Sequence, residues 1–561
     1  MQGLVEQVKI GLALALQAAI GQAVANGQLN PVEAPEVVIE VPREKGHGDF
    51  ATNLAMQLAK SAKMAPRKIA EAIIDNLDLA STPVERVEIA GPGFINFYLQ
   101  TSWVYGVIPM VLQEDRNYGR LEIGEGQRVQ VEFVSANPTG LLHMGNARGA
   151  ALGDSLASIL DFAGYQVGRE YYINDAGNQI ENFGKSLEVR FLQQLGQDIP
   201  MIEQGYHGED IVDTVKGFIN KNGTALAEAD EDTRRKTLAA YALQEKLTHI
   251  RNTLLDFGVV YDRWFSEQSL YDSGAITDTL KELRQRGYIH EQENALWFKA
   301  TEFGDEKDEV LVRSNGIPTY FAADIAYHKD KFDRGFDRVI DIWGADHHGH
   351  VNRMKGSMEA LGYNRDNLQI ILMQLVRLFR GGEIVRMSKR TGQFVTLEEL
   401  VEEVGRDAAR YFFVMRSPDS HLEFDLDLAK SQTNDNPIFY IQYAHARICS
   451  ILRQLQEQGR KLPEIREVNP ALLKEEAELE LLRKLADFPT EIAAAAELMA
   501  PHRIARYLHD LAGLFHSFYN SHRVITEDAA LSDARLLLVQ GVRIVLRNAL
   551  GLLGLTAPEK M

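Results

Sequence analysis

Cysteine is almost absent from this chain of 561 residues, in which Cys449 is the single example. One thiol cannot form a disulfide within the chain, and it cannot supply the paired cysteines of a CxxC zinc site. We therefore expect neither a disulfide framework nor a structural zinc. The chain contains 45% hydrophobic and 25% charged residues, which is an ordinary globular composition, and its length predicts several domains.

The chain also has no uninterrupted apolar run of the length that crosses a membrane. The best candidate, residues 10–25, is interrupted by Gln17 and Gln22, and the preceding segment is not cationic, as a secretory signal would require. An amphipathic helix is the better interpretation. We expect a cytoplasmic protein with no membrane partner.

An excess of basic residues is missing as well, because the formal net charge is −19. This sum looks wrong for a nucleic-acid-binding protein, since phosphate contacts come from Lys and Arg. However, residues 431–561 hold 15 Lys and Arg against 16 Asp and Glu, so −18 of the charge lies in the other 430 residues. The C-terminal part could therefore form a local basic face from seven of its arginines, namely Arg447, Arg453, Arg503, Arg506, Arg523, Arg543 and Arg547.

The most informative segment that is present is residues 129–154, VQVEFVSANPTGLLHMGNARGAALGD. It predicts a buried strand, a tight Pro-Thr-Gly turn and a helix whose first turn carries His143 and Asn146. The first N–H groups of such a helix attract an anion, and Gly145 leaves room for a flat base. The segment thus predicts a phosphate site. The alternative is a capped helix with polar surface residues.

A second segment, EIVRMSKRTG at residues 383–392, follows an apolar run about 240 residues downstream. Arg386, Ser388 and Lys389 suit a loop that closes over a triphosphate and stabilises the charge on departing pyrophosphate. The alternative here is a solvated basic loop. The two segments together are far more specific than either one.

HMGN and RMSK resemble the HxGH and KMSK signatures of class I aminoacyl-tRNA synthetases. Further blocks resemble the arginyl-tRNA synthetase family nearly end to end, namely HGDFATNLAMQLAK, VEIAGPGFINF, VEFVSANPTG, DRWFSEQSLY, GIPTYFAADIAYH, VIDIWGADHHGH and LGLTAPEKM. One residue departs from the pattern, because Asn146 stands where the second histidine of HxGH is expected. Asparagine keeps a hydrogen-bond donor but cannot become cationic.

The resemblance implies that ATP, with its bound Mg²⁺, and L-arginine give arginyl-adenylate, from which arginine passes to tRNA(Arg). His143, Asn146 and Lys389 would be the catalytic residues. The resemblance implies an ATP site of His143, Gly145, Asn146, Gly344, Asp346, His350, Met387, Ser388 and Lys389.

Arginine itself needs carboxylates, because its guanidinium presents a planar fork of donors. Glu132, in the strand before the turn, and Asp324, in a helical segment after Tyr320, are such groups. By resemblance, Glu132, Asn137, Tyr320 and Asp324 form the arginine pocket. As alternatives, Tyr320 could belong to the core and Glu132 could pair with a structural arginine.

The sequence GADHHGH, at residues 344–350, follows a predicted strand, where open α/β sheets bind ligands. Its histidines suggest a metal cluster, and its DHH triplet is found in a family of phosphoesterases. No second aspartate cluster at matching strand ends is apparent, and GxDxxxH resembles the class I pattern that contacts adenosine. We expect no metal fixed by the protein itself.

Hydrophobic periodicity divides the chain. Residues 1–118 read as an α+β domain, which by resemblance contacts tRNA. Residues 119–396 alternate strands and helices and predict a doubly wound, parallel, Rossmann-like α/β domain with an insertion at about 181–257. Residues 397–430 read as a connecting helical segment, and residues 431–561 as an all-α domain that by resemblance binds the anticodon.

Aromatic residues recur in the C-terminal helices, and most such residues pack inward. By resemblance, some contact bases; the candidates are Tyr440, Tyr443, Tyr519, Arg447 and Met561. The function that we predict is arginine–tRNA ligation by a monomer that does not bind DNA. The alternatives are a small-molecule adenylyltransferase, which would not need the C-terminal helices, and a non-catalytic tRNA-binding paralogue.

Overall fold

The protein is described by a computed structural model that covers residues 3–42, 44–203, 205–385 and 395–561. The predicted signature residues Met387, Ser388 and Lys389 lie outside these ranges.

The N-terminal part is a small antiparallel sheet covered by helices. Its strands pair in the order β1-β3-β2. The elements are α1 (Leu4–Ala25), β1 (Phe50–Thr52), α2 (Leu54–Ala62), α3 (Pro66–Asp75), β2 (Val84–Ala90), β3 (Phe94–Leu99) and α4 (Val107–Glu114). Among the described helices, α1 alone has the length and composition of a membrane span. Its residues Val5, Val8, Leu12 and Leu16 are buried on one face, as in a core helix.

A parallel sheet with helices follows, and the predicted fold class is confirmed. Its first elements are β4 (Arg128–Glu132), α5 (Met144–Phe162), β5 (Gln166–Ile173), α6 (Asn178–Gln194), α7 (Glu209–Asn222), α8 (Glu231–Asp256), β6 (Arg263–Ser266), α9 (Gln268–Asp272) and α10 (Ala275–Gln285). Helices α6 to α8 lie between β5 and β6 and bury their own apolar cluster, which includes Phe183, Phe191 and Phe218.

The chain then returns to the other side of β4. The next elements are β7 (Ile289–Gln292), β8 (Ala295–Phe298), β9 (Glu309–Val312), α11 (Tyr320–Asp333), β10 (Arg338–Gly344), α12 (Val351–Ala360), β11 (Leu368–Met373), β12 (Val376–Arg380) and β13 (Glu383–Val385). The parallel strands lie in the order β11-β10-β4-β5-β6. The strand order therefore reverses between β4 and β10, where Glu132 and Asp341 are opposite each other. Such a reversal opens a crevice at the carboxyl ends of the strands.

Two small sheets depart from the expected parallel pattern. Strands β7, β8 and β9 form an antiparallel sheet, and β12 pairs antiparallel with β13. Both hairpins turn through two residues with positive φ, Glu293-Asn294 and Gly381-Gly382, which is the geometry of a tight hairpin. Because these strands are short, their alternation of apolar and polar residues cannot be distinguished from the neighbouring helical patterns in the sequence.

The C-terminal part is mostly helical. Its elements are α13 (Leu397–Val404), α14 (Arg406–Val414), β14 (Leu422–Asp425), α15 (Leu426–Lys430), α16 (Pro437–Glu457), α17 (Glu476–Glu497), α18 (His502–Ser521) and α19 (Ala529–Leu552). The segment 397–430, predicted as helical throughout, contains β14, which pairs with β12. The fully buried Arg410 donates to Asp154 Oδ2 and to the carbonyls of Phe257 and Leu553. It therefore ties the parallel sheet domain to the end of the last helix.

Candidate active site

The first turn of α5 is closed by reciprocal capping between His143 and Asn146. His143 is the N-cap residue, and its Nδ1 accepts from the N–H of Gly145 at 3.1 Å. The Oδ1 of Asn146 accepts from the N–H of His143 at 3.0 Å. The side chain of Asn146 therefore accepts a hydrogen bond that stabilises the turn. Its capacity to donate one was the only role expected from the sequence.

The ring of His143 is oriented by the same hydrogen bond. Because Nδ1 accepts, a neutral ring carries its proton on Nε2, which is thus a donor. Protein atoms around the imidazole lower the pKa of His143 through desolvation, although the residue as a whole is exposed to solvent. The neutral donor form therefore predominates at neutral pH.

The described residues that follow the signature segment contact the start of α5. Thr396 forms an antiparallel bridge with His143, and the N–H of Leu397 donates to the carbonyl of Leu142 at 2.9 Å. The residues that follow the signature segment therefore lie directly beside the first turn of α5.

The backbone after β4 adopts unusual torsions. Val134 and Ser135 have φ of 71° and 40°, which is strained for a β-branched residue. The hydroxyl of Tyr261 donates to the carbonyl of Phe133, and the N–H of Tyr172 donates to Oγ of Ser135. Neighbouring strands therefore hold the strained turn in place, as is common at ligand sites.

Asp324 is a mostly buried carboxylate on α11, at the crevice. Within the described ranges, neither a hydrogen bond nor an ion pair reaches its carboxylate. Desolvation raises its pKa to about 6; Glu132 adds to this rise, and His328 and Lys331 oppose it. An incoming cation would therefore find an anion that the protein has left uncompensated.

Glu132 is instead already paired. Its Oε2 accepts from Lys331 Nζ at 2.5 Å, and its Oε1 accepts from Ser135 Oγ at 2.8 Å. The alternative of a structural partner is thus realised, although the partner is a lysine and not an arginine. Each oxygen keeps a lone pair that a substrate could use.

Two other predicted pocket residues are open to solvent. Tyr320 is 42% exposed, so the interpretation as a core residue is wrong, and its ring lies against Gly177 at the start of α6. Asn137 is exposed on the turn after β4.

Glu267, which sequence reasoning missed, is buried near Asp324. Its Oε1 has no hydrogen-bond partner in the described structure, and burial raises its pKa to about 7. The one sequence signal for a role of Glu267 is its position directly after β6, because open α/β sheets bind ligands at the carboxyl ends of their strands.

The residues predicted to contact adenosine follow the carboxyl end of β10. Gly344 ends the strand, and residues Ala345–His350 form a 3-10 helix that exposes Asp346. Burial and the charge of Arg353 lower the pKa of His350. In the described residues, no group of three or more His, Cys, Asp or Glu is arranged to hold a metal ion.

The aromatic residues of the C-terminal helices gather at one cavity. Tyr443, Arg447, Tyr519 and Met561 line a space of about 500 Å³. The guanidinium of Arg447 lies over the rings of Tyr443 and Tyr519, at 4.4 Å and 4.7 Å from their centroids. Tyr440 packs instead on His516. The structure therefore brings four of the five predicted residues together.

Three family descriptions match successive parts of the chain. They are an arginyl tRNA synthetase N-terminal domain at residues 13–99, the class I (R) tRNA synthetase catalytic domain at 107–425 and a DALR anticodon binding domain at 441–561. The arginine–tRNA ligase of Desulforamulus reducens is 87% identical over the whole of both chains. The chain belongs to the arginyl-tRNA synthetase family. A second member, from Moorella thermoacetica, is 61% identical over the full length of both chains.

Solved structures of this arginyl-tRNA synthetase family share the fold. A putative arginyl-tRNA synthetase from Campylobacter jejuni has 37% identity and a TM-score of 0.76, covering 82% of this chain and all of that one. The arginyl-tRNA synthetase of Thermus thermophilus has 24% identity and a TM-score of 0.75, covering 98% of this chain and all of that one. At the latter identity, the likeness concerns the fold alone.

Proposed function

We propose that this chain ligates L-arginine to tRNA(Arg) at the expense of ATP, through an arginyl-adenylate, at the crevice between β4 and β10. The observation that carries the proposal is the carboxylate of Asp324, which is buried without a hydrogen bond or an ion pair among the described residues, in the domain that also holds the capped first turn of α5. The carboxylate suits a guanidinium, and the start of the helix suits a phosphate.

In the first step, a carboxylate oxygen of arginine attacks the α-phosphorus of ATP, and the bond to the pyrophosphate oxygen breaks. Nε2–H of His143 and the N–H groups at the start of α5 would stabilise the charge that develops on the phosphates. Lys389, with Ser388 and Met387 beside it, would neutralise the departing pyrophosphate together with the Mg²⁺ that ATP carries. Gly145, Asn146, Gly344, Asp346 and His350 complete the ATP site.

Arginine would be bound by its two charged ends. Asp324 receives the guanidinium, because neither oxygen of its carboxylate has a hydrogen bond or an ion pair within the described residues. Glu132, Asn137 and Tyr320 would border the same pocket and orient the rest of the molecule. In the second step, a ribose hydroxyl of the terminal adenosine attacks the arginyl carbonyl, and AMP leaves.

The parts outside the crevice would hold the tRNA. Residues 1–118 and 431–561 flank the domain of residues 119–396, into which residues 181–257 are inserted, and residues 397–430 connect it to the last domain. The cavity of Tyr443, Arg447, Tyr519 and Met561, with Tyr440 nearby, offers rings and a cation to unstacked bases. We infer a cytoplasmic monomer that binds neither DNA nor a membrane.

Arginine-dependent exchange of pyrophosphate into ATP tests this function, measured with and without tRNA(Arg). We expect exchange with arginine and not with lysine, followed by arginylation of tRNA. A protein that binds tRNA(Arg) but supports no exchange under either condition would contradict the proposal, as would exchange with an acid other than an amino acid.

A further inference from the structure

Lys331 is a fully buried lysine on α11, beside the arginine pocket. Its ammonium donates to Oε2 of Glu132 at 2.5 Å and to Oδ1 of Asp341 at 2.7 Å. Because these carboxylates face each other across β4 and β10, the lysine joins the two strands where the strand order reverses. A buried charge is costly unless it is compensated, so this position requires an explanation.

His328 extends the same network through its two ring nitrogens. Its Nδ1 lies 2.7 Å from the carbonyl of Asp324, and its Nε2 lies 2.7 Å from Oδ2 of Asp341. A carbonyl oxygen only accepts hydrogen bonds, so Nδ1–H donates to it, while Nε2 contacts the carboxylate that Lys331 also binds. Burial raises the pKa of Asp341, but Lys331 and His328 together lower it to about 2.

Lys331 is thus the buried cation that two carboxylates, Glu132 and Asp341, share. We propose that Lys331 is a positioning residue for arginine: it cancels the charge of Glu132 and fixes its carboxylate, so that Asp324 meets the guanidinium as the uncompensated charge. This inference rests on the proposed function and adds a residue that touches no substrate.

Lys331 is one of several charged or titratable groups that face Asp324. These groups come from α11, β4, β5, α9 and the segments after β6 and β10, and they are His328, Lys331, Glu132, Tyr172, Tyr271, Glu267 and His347. Removal of Lys331 would leave the anion of Glu132 unopposed near Asp324. The pKa of Asp324 would then rise, and arginine would lose its partner at a higher pH.

The test is the pH profile of kcat/KM for arginine in pyrophosphate exchange, with the full chain and saturating ATP. The acidic limb of this profile reports ionisation of the free enzyme. In Lys331→Met, we expect the limb to move to higher pH by roughly half a unit to one unit. In Glu132→Gln, which leaves Lys331 in excess, we expect it to move to lower pH. The double variant should return towards the parent.

Lys329→Met is the matched control, because Lys329 lies two residues away on α11 and pairs with Asp333 near the surface. Its limb should stay at the parental pH. If Lys331→Met does not fold, the direction of the shift in Glu132→Gln decides the matter. The inference would be overturned if the acidic limb stayed at the parental pH in both Lys331→Met and Glu132→Gln, or if it moved in the same direction in both variants. The proposed function would survive that result as long as the parent activates arginine and Asp324→Asn does not.

Discussion

Asp324→Asn should weaken arginine binding and, at the same time, stabilise the free protein. The carboxylate has no partner in the described part of the chain, so burial penalises its charged form. Asparagine has nearly the same shape but no charge. The substitution therefore removes both the partner that the guanidinium needs and the penalty that the free enzyme carries.

The size of the stability effect follows from the pKa of Asp324, which burial raises from 3.8 to about 6. A folded-state pKa above the unfolded one means that the folded protein binds the proton more tightly, so stability falls as pH rises from about 4 to about 6. Above that range the full penalty is present, and it amounts to about 3 kcal/mol. Arginine binding should weaken by about 2–5 kcal/mol, because a desolvated guanidinium would face no carboxylate.

Two assays separate these effects. Chemical unfolding at pH 7.5 without ligand should show a more stable variant, and titration with arginine should show roughly 30-fold weaker binding or worse, with an unchanged Kd for ATP. Asp333→Asn, on the exposed end of α11, is the control: it loses the ion pair with Lys329, so it should not become more stable, and it should bind arginine as the parent does. A variant that is less stable without ligand, or that binds arginine as the parent does, would refute the reasoning.

Four further outcomes can be checked. Lys389→Ala should lower kcat for exchange by roughly 10²-fold with a smaller change in ATP affinity, and an unchanged kcat would exclude Lys389 from the chemistry. Asn146→Asp should preserve thermal stability, because its oxygen still caps the helix, yet raise KM for ATP by charge repulsion; unchanged KM would place the phosphates elsewhere. Arg410→Met should lower unfolding stability by about 3–5 kcal/mol, since it removes the short ion pair to Asp154 and the donors to two carbonyls and leaves Asp154 only its longer contact with Arg169; a smaller loss would mean that this contact or water compensates the carboxylate. Tyr519→Ala should raise KM for tRNA by about tenfold while KM for arginine stays constant, and equal KM values would remove it from the interface.

The sequence predicted the parallel sheet because its strands are buried on both faces and alternate with long helices. It missed β7, β8, β9 and β14, whose few residues carry no periodicity that distinguishes them from loops. The N-terminus of α5 was predictable for a different reason. Local rules of turns and caps, and not long-range contacts, determine its geometry.

The candidate pocket was predictable only in part. Asp324 was found by asking which group a guanidinium requires, whereas Lys331 gave no signal, because a lysine in a helix is usually solvated. Its burial depends on the register between β4 and β10, which brings together residues about 200 positions apart. Pairings of that range are set by tertiary packing and cannot be read from one sequence.

Arg410 has a consequence for the order in which the protein can be made. Its hydrogen-bond partners belong to residues 154, 257 and 553, so they are synthesised at widely separated times. Until the segment around Leu553 has left the ribosome, the guanidinium lacks the carbonyl of that residue. The catalytic domain therefore cannot finish burying this charge until the end of the last helix has docked on it.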